Sequence, residues 1–209
     1  MMLNTQLQYQ IIQRSDYKPM PWKNGLGETL EIWRVEDERN LRFRISQASV
    51  VENGMFSDFN GLTRILVLLT GNGVTLEHRS KSGCNSNQLN EALDMARFSG
   101  GDKTYATLIK GEIEDLNIMV RELDTIAKVE AHFAPTGLFL SQEATLFTAF
   151  YANEETIVAY QNENMAEPQT LYLSSQSLLY INKNKRRVLQ LISGSGVLIE
   201  INLTAKVTE

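Results

Sequence analysis

Short apolar runs, each closed within a few residues by Gly, Asn, Asp or Ser, recur along the chain. A helix needs about ten or more residues of 3.6-residue periodicity, and this punctuation rarely leaves room for one. The runs therefore read as strands: 29–35, 41–50, 64–71, 73–78, 104–111, 115–122, 128–133, 145–152, 156–161, 169–175, 177–182, 187–194 and 196–203. Many short strands separated by turn residues predict an all-β sandwich or barrel. Only NQLNEALDMARF (87–98) carries enough helical pattern for a turn or two.

Two segments, ILVLL-TGNG-VTLE and VLQLI-SGSG-VLIE, set apolar runs on either side of a Gly-x-Gly turn and read as hairpins. They match at Leu66, Leu68, Gly71, Gly73, Val74 and Glu77 against Leu189, Leu191, Gly194, Gly196, Val197 and Glu200, as the halves of a duplication would. A rival alignment sets TYATLIKGEIEDLNIMV against RVLQLISGSGVLIEINL, and both stay open. A boundary falls near 123–128 and divides residues 1–125 from 126–209, with no Pro- or Gly-rich linker to mark it.

The chain's 209 residues suffice for one large β domain or two small ones, and 43% hydrophobic with 22% charged residues predicts complete folding. A formal charge of −5 argues against nucleic acid as a partner, because phosphate binding relies on clustered Lys and Arg. The basic stretch NKNKRR, with Lys183, Lys185, Arg186 and Arg187, reads as a solvated β-turn. The segment MMLNTQLQYQIIQRSDYK lacks the pattern of a secretion signal, and no later run is long enough to cross a bilayer. These features predict a cytoplasmic protein without a membrane partner. Cys84, the single cysteine, can form no internal disulfide and sits in the polar stretch RSKSGCNSNQLN, which reads as a loop.

His78 and His132 are the only histidines and show no ligand spacing, so neither a metal nor another cofactor is expected. No GxSxG elbow, Walker loop or GxGxxG before a helix is present, and no catalytic set is assigned. The segment PMPWKNGLGETLEIW (19–33) is the most unusual: it holds both tryptophans, and Asn24, Gly25 and Gly27 form a turn able to offer backbone N–H groups to a carboxylate. A buried aromatic plug over a tight turn is the alternative. Alternation puts Asp115, Asn117 and Met119 on one strand face, opposite Leu116, Ile118 and Val120, and Arg44 with Ser46 on another. Arg64 precedes the run ILVLL, at the mouth of a buried strand, where it forks onto a ligand carboxylate or bridges to Asp58 or Glu28.

Taken in order, PWKNGLGETLEIW, FRISQASVVENGMFSDFNGLTRILVLLTGNG and DLNIMVRE resemble the HutD/Ves family over about the first 120 residues, and more loosely beyond. The resemblance implies a bicupin, an RmlC-like double-stranded β-helix with two small β-barrel halves in one chain. GMFSDFNGLTRILVLLTGNG overlays the first cupin motif at Gly54 and Gly71, but the histidine positions fall near Asn60 and Leu62 and the acidic position falls in an apolar strand. The metal ligands are missing from the motif. Carried over residue by residue, the family's motifs point to Trp22, Asn24, Gly25, Gly27, Thr29 and Glu31, to Arg44 and Ser46, to Phe56, Phe59 and Arg64, and to Asp115, Asn117 and Met119. Lys23 and Asn60 match more loosely. The resemblance also associates the chain with histidine utilisation or stress response.

The expected function is non-catalytic binding of a small carboxylated molecule, such as a metabolite of histidine utilisation. One alternative is a metal-independent isomerase or epimerase using His78, His132 or Glu31 as its acid–base group. Another is a protein-interaction module, and a homodimer formed through sheets is compatible with the fold.

Overall fold

Alternation along the strands decides which side chains turn inward, and the sheets then close over those that do. The structure is a computed structural model that describes residues 8–22, 28–140, 146–182 and 187–204. Strands run, in chain order, over Tyr9–Ile12 (β1), Lys18–Pro21 (β2), Glu28–Asp37 (β3), Asn40–Val50 (β4), Gly54–Met55 (β5), Leu62–Thr70 (β6), Val74–Ser80 (β7), Gly83–Leu89 (β8), Met95–Ser99 (β9), Lys103–Leu108 (β10) and Ile113–Arg121 (β11). They continue over Thr125–Phe133 (β12), Thr136–Leu138 (β13), Phe147–Ala152 (β14), Thr156–Asn162 (β15), Gln169–Leu173 (β16), Leu178–Ile181 (β17), Arg187–Ser193 (β18) and Ser195–Leu203 (β19). Among the described residues the one helical element is a 3-10 turn at Arg14–Asp16.

The chain divides into two units. One contains Tyr17–Ile126; the other joins Ala127–Thr204 to the residues up to Asp16. The N-terminal strand thus belongs with the second half of the sequence: β1 pairs antiparallel with β17, Tyr9 opposite Ile181. This differs from an assignment of residues 1–125 to one half, because β1 finds its open sheet edge in the other.

In the first unit the sheet β2-β3-β4-β11-β6-β9 is matched by the sheet β5-β10-β7-β8. Leu66, Leu68, Ala96 and Phe98 from the first meet Val74, Leu76, Leu89 and Ala106 from the second in one buried cluster. In the second unit β1-β17-β14-β19-β12 is matched by β13-β18-β15-β16. There Phe150, Leu179, Ile181 and Leu198 pack on Val158, Tyr160, Leu171, Leu189 and Leu191. Counted from β4 and from β12, the pairing is the same. The first strand pairs with the eighth, the eighth with the third and the third with the sixth, while the second pairs with the seventh, the seventh with the fourth and the fourth with the fifth. This is the double-stranded β-helix, present twice.

The two Gly-x-Gly segments are not hairpins. β6 pairs with β11 and β9, whereas β7 pairs with β10 and β8, so the chain crosses between sheets at 71–73. β18 and β19 likewise lie in different sheets. Gly71 adopts φ 105°, and a Cβ there would approach the Glu112 carbonyl oxygen to 2.6 Å, so the corner needs glycine twice over. Topology also selects the rival alignment of the duplication. TYATLIKGEIEDLNIMV and RVLQLISGSGVLIEINL are the seventh and eighth strands of their units, with Gly111 (φ 74°) and Gly194 (φ 88°) at equivalent corners.

Segment 87–98 forms no helix: it ends β8, turns at Leu93 (φ 72°) and begins β9, with Leu89, Leu93, Ala96 and Phe98 buried. Cys84 is exposed on β8 and not in a loop. Lys183, Lys185 and Arg186 lie outside the described residues; Arg187 opens β18 and donates to the carbonyls of Ile181 and Asn182.

Candidate functional site

The inner faces of β3, β4, β11 and β6 place polar side chains in rows across the first unit's larger sheet. Registers set Arg44, Met119 and Arg64 opposite one another, then Ser46, Asn117 and Leu66, then Ala48, Asp115 and Leu68. Because side chains alternate, each of these residues points to the same side. Leu66 and Leu68 go into the core, whereas Arg44, Ser46, Ala48, Arg64, Asp115, Asn117 and Met119, with Trp22, Thr29, Phe56 and Phe59, line a cleft of about 840 Å³.

Arg64 is the most informative member. It is 5% exposed, and its guanidinium carbon lies 5.0 Å from the ring centre of Phe56, 5.3 Å from Phe59 and 5.1 Å from Phe98. Among the described residues no carboxylate bridges to it and its Nε has no hydrogen-bond acceptor, and Asp58 is engaged instead by the Asn60 N–H at 2.9 Å. Burial holds its pKa at about 10, below the ordinary arginine range, with the charge of Asp115 acting in the opposite sense. Three π faces offset part of the cost of burying the cation, but they leave its hydrogen-bonding edge unused.

Arg44 is buried too, yet it has a partner: its Nε lies 2.9 Å from Glu31 Oε2, close enough for an ion pair although off the hydrogen-bonding direction. Its Nη2 also reaches the Met20 sulfur at 3.2 Å. Glu31 is thus tied to Arg44 and is not itself among the residues that line the cleft.

Asp115 is 1% exposed, and no hydrogen bond reaches its Oδ1; the Oδ1 of Asn117 is unpartnered as well. Desolvation pushes the Asp115 carboxyl up to about 7, against the pull of Arg64. Trp22 donates from Nε1 to Thr29 Oγ1 at 2.9 Å, and its half-buried indole both lines the cleft and packs against the core. The floor thus combines an uncommitted cation, a buried acid and an amide.

Of the residues expected at the site, Trp22, Thr29, Arg44, Ser46, Phe56, Phe59, Arg64, Asp115, Asn117 and Met119 come together here. Glu31 does so only through Arg44. Asn24, Gly25 and Gly27, with Lys23, lie outside the described residues. Ala48, Glu52, Asn53 and Met20 also line the cleft and were missed. Ala48 was recoverable, since it is the next inward position after Arg44 and Ser46; Glu52 and Asn53 follow β4 in irregular chain, where alternation carries no information.

His78 does not face the cleft. It is buried behind Phe98, with ring centres 4.4 Å apart, and its nitrogens meet Thr104 Oγ1 at 2.9 Å and Asn87 Oδ1 at 3.1 Å. Burial lowers its pKa. His132 is on β12 in the other unit, 4.0 Å from Glu130. None of the three groups named for an acid–base enzyme therefore lines the cavity. The cleft's donor set also does not suit a metal: Asp115 and Glu52 are its carboxylates, two guanidiniums stand among them, and Asn60 and Leu62 lie outside it. Among the described residues no three His, Cys, Asp or Glu side chains gather as ligands, and no helix is long and apolar enough to cross a membrane.

Comparison with known proteins agrees with this architecture. An uncharacterised 21.2 kDa protein from the hutC 3′ region of Pseudomonas putida is 32% identical over 154 residues, covering 73% of this chain and 79% of the relative. Protein Ves of Citrobacter koseri is 38% identical over 140 residues, covering 63% and 70%. The solved structure of HutD from Pseudomonas fluorescens SBW25 superposes with a TM-score of 0.76 at 22% identity, over 94% of this chain and all of that one (100%). The HutD family profile matches residues 14–199, and the chain belongs to the HutD family.

Proposed function

We propose that this protein binds a small carboxylated metabolite in the cleft of its first unit and performs no chemistry on it. The supporting observation is Arg64: a buried guanidinium with aromatic rings around it and no carboxylate in ion-pair contact among the described residues. An unpaired buried charge is costly, and a ligand carboxylate accepting two parallel N–H bonds would offset that cost. Asn117 and Ser46 supply neutral polar contacts, and Trp22, Phe56 and Phe59 give apolar walls for the ligand's carbon skeleton.

Acids of histidine utilisation are the first ligands to test, because one relative is described by its position beside hutC. A regulatory role there would follow if binding such an acid changed the protein's partners. A thermal-shift screen of these acids, followed by calorimetry, should find at least one that raises the melting temperature, and Arg64→Gln should weaken its binding at least tenfold. Equal binding by Arg64→Gln, or no stabilisation by any acid, would count against the reading.

A further inference from the structure

We propose that Asp115 enters the complex as a neutral acid donating its proton in a hydrogen bond to the ligand, so that the cleft takes up a proton as it binds a carboxylate. This rests on the proposed carboxylate binding.

Asp115 faces the cleft from β11 between Ala48 on β4 and Leu68 on β6, neither of which can donate a hydrogen bond from its side chain. Among the described residues no N–H or O–H reaches its Oδ1, and no ion pair joins it to Arg64. Ionised, it would be a buried carboxylate whose Oδ1 receives no hydrogen bond among the described residues; protonated, it can donate an O–H to an acceptor that enters the cleft it lines. A ligand carboxylate held by Arg64 supplies that acceptor. Two carboxyl groups in one desolvated site share a proton because both cannot carry full charge there.

The surrounding charges agree. Arg64 on β6 lines the same cleft and is the cation whose charge acts on Asp115, and it is the group that the ligand would engage. Arg44 on β4 is held by Glu31 of β3, so it does not neutralise Asp115. Glu52, in the segment after β4, lines the same cleft and adds negative charge, and Glu114, the preceding residue on β11, also disfavours ionisation. From the opposite sheet, His78 on β7 is the inward titratable group, and it lies behind Phe98 with both nitrogens engaged. The raised titration of Asp115, near neutrality, sets the range in which the coupling is visible.

Succinate and acetate serve as probes. Affinity should fall about tenfold per pH unit above neutrality and level off below it, and calorimetry at about pH 8 in two buffers of different ionisation enthalpy should report about one proton taken up per ligand. Asp115→Asn keeps a hydrogen-bond donor but cannot titrate, so it should bind with little pH dependence and no proton uptake. In the native protein the ¹³C carboxyl resonance of Asp115 should titrate well above the usual aspartate range and move higher with succinate present. PH-independent affinity, proton uptake that persists in Asp115→Asn, or an ordinary Asp115 titration in the free protein would overturn the proposal while leaving carboxylate binding intact. If neither probe perturbs the cleft at any pH, or Arg64→Gln binds as the native protein does, the binding reading itself fails.

Discussion

Arg64 and Asp115 are both buried without a partner suited to them, and both sit in the same cleft. Stability would favour removing each, so their presence marks a site shaped for something other than folding. Arg64→Met leaves a flexible apolar side chain among the three phenyl rings and discards the buried charge. It is expected to raise stability by about 1–3 kcal/mol, read from urea denaturation, and to abolish ligand binding. A variant that is less stable than the native protein would mean that the aromatic cage compensates the cation fully. The residue scale also shows the limit of pattern reading. Alternation along DLNIMV placed Asp115 and Asn117 on one face, but whether that face met water or a cavity depended on the strands beside it.

At the scale of elements, the strands missing from the sequence reading share one property. β1, β2, β5, β8, β9 and β13 all lie at sheet edges. An edge strand packs on one side only and need not be apolar; β8 reads GCNSNQL, and β2 reads KPMP, where proline is tolerated because one side makes no ladder. Interior strands such as β6 and β11 are buried along nearly their whole length and announce themselves. The corners follow a different logic. A Gly-x-Gly between apolar runs looks alike in a hairpin and in a sheet crossing, and only the partners of β6 and β7 distinguish them. Gly71→Ala is expected to cost roughly 2–4 kcal/mol, since it combines positive φ with a backbone clash, whereas Gly54→Ala, which meets nothing within 4 Å, should be near neutral. Equal denaturation midpoints for the two variants would contradict this account of the corner.

For the molecule as a whole, pH acts on stability through groups of opposite sign. Asp37 and Asp124 accept from Arg121, which donates to Asp37 at 2.8 Å from each of two nitrogens and to Asp124 at 2.9 Å, and both carboxyls are held below the usual range. Their contribution is present above the unfolded aspartate pKa and is lost as pH falls through the folded values. Arg121→Met should therefore be destabilised near neutrality, with the deficit shrinking in acid. Asp115 behaves in reverse: its carboxyl is raised, so the folded state loses stability as pH climbs from about 4 to about 7. Asp115→Asn should match the native protein near pH 4 and exceed it by roughly 2–4 kcal/mol at pH 8, as each pKa unit is worth about 1.4 kcal/mol. Urea denaturation of the three proteins across this range checks both signs, and a native-like pH dependence in Asp115→Asn would refute the second.

The sequence by itself determined that this chain is all-β, where its buried strands run and which of their residues share a face. Local chemistry suffices for that, because apolar runs and turn residues act within a few positions of one another. Tertiary structure decided what locality cannot. It assigned the N-terminal strand to the second unit, turned two apparent hairpins into sheet crossings, and chose between two alignments of the duplication. It also made Arg64 unpaired, by seating it among Phe56, Phe59 and Phe98 and away from every carboxylate that spacing had offered it. Pairing across a sheet brings together residues tens of positions apart, and a side chain's partner is set by that long-range register, which no short stretch of sequence contains.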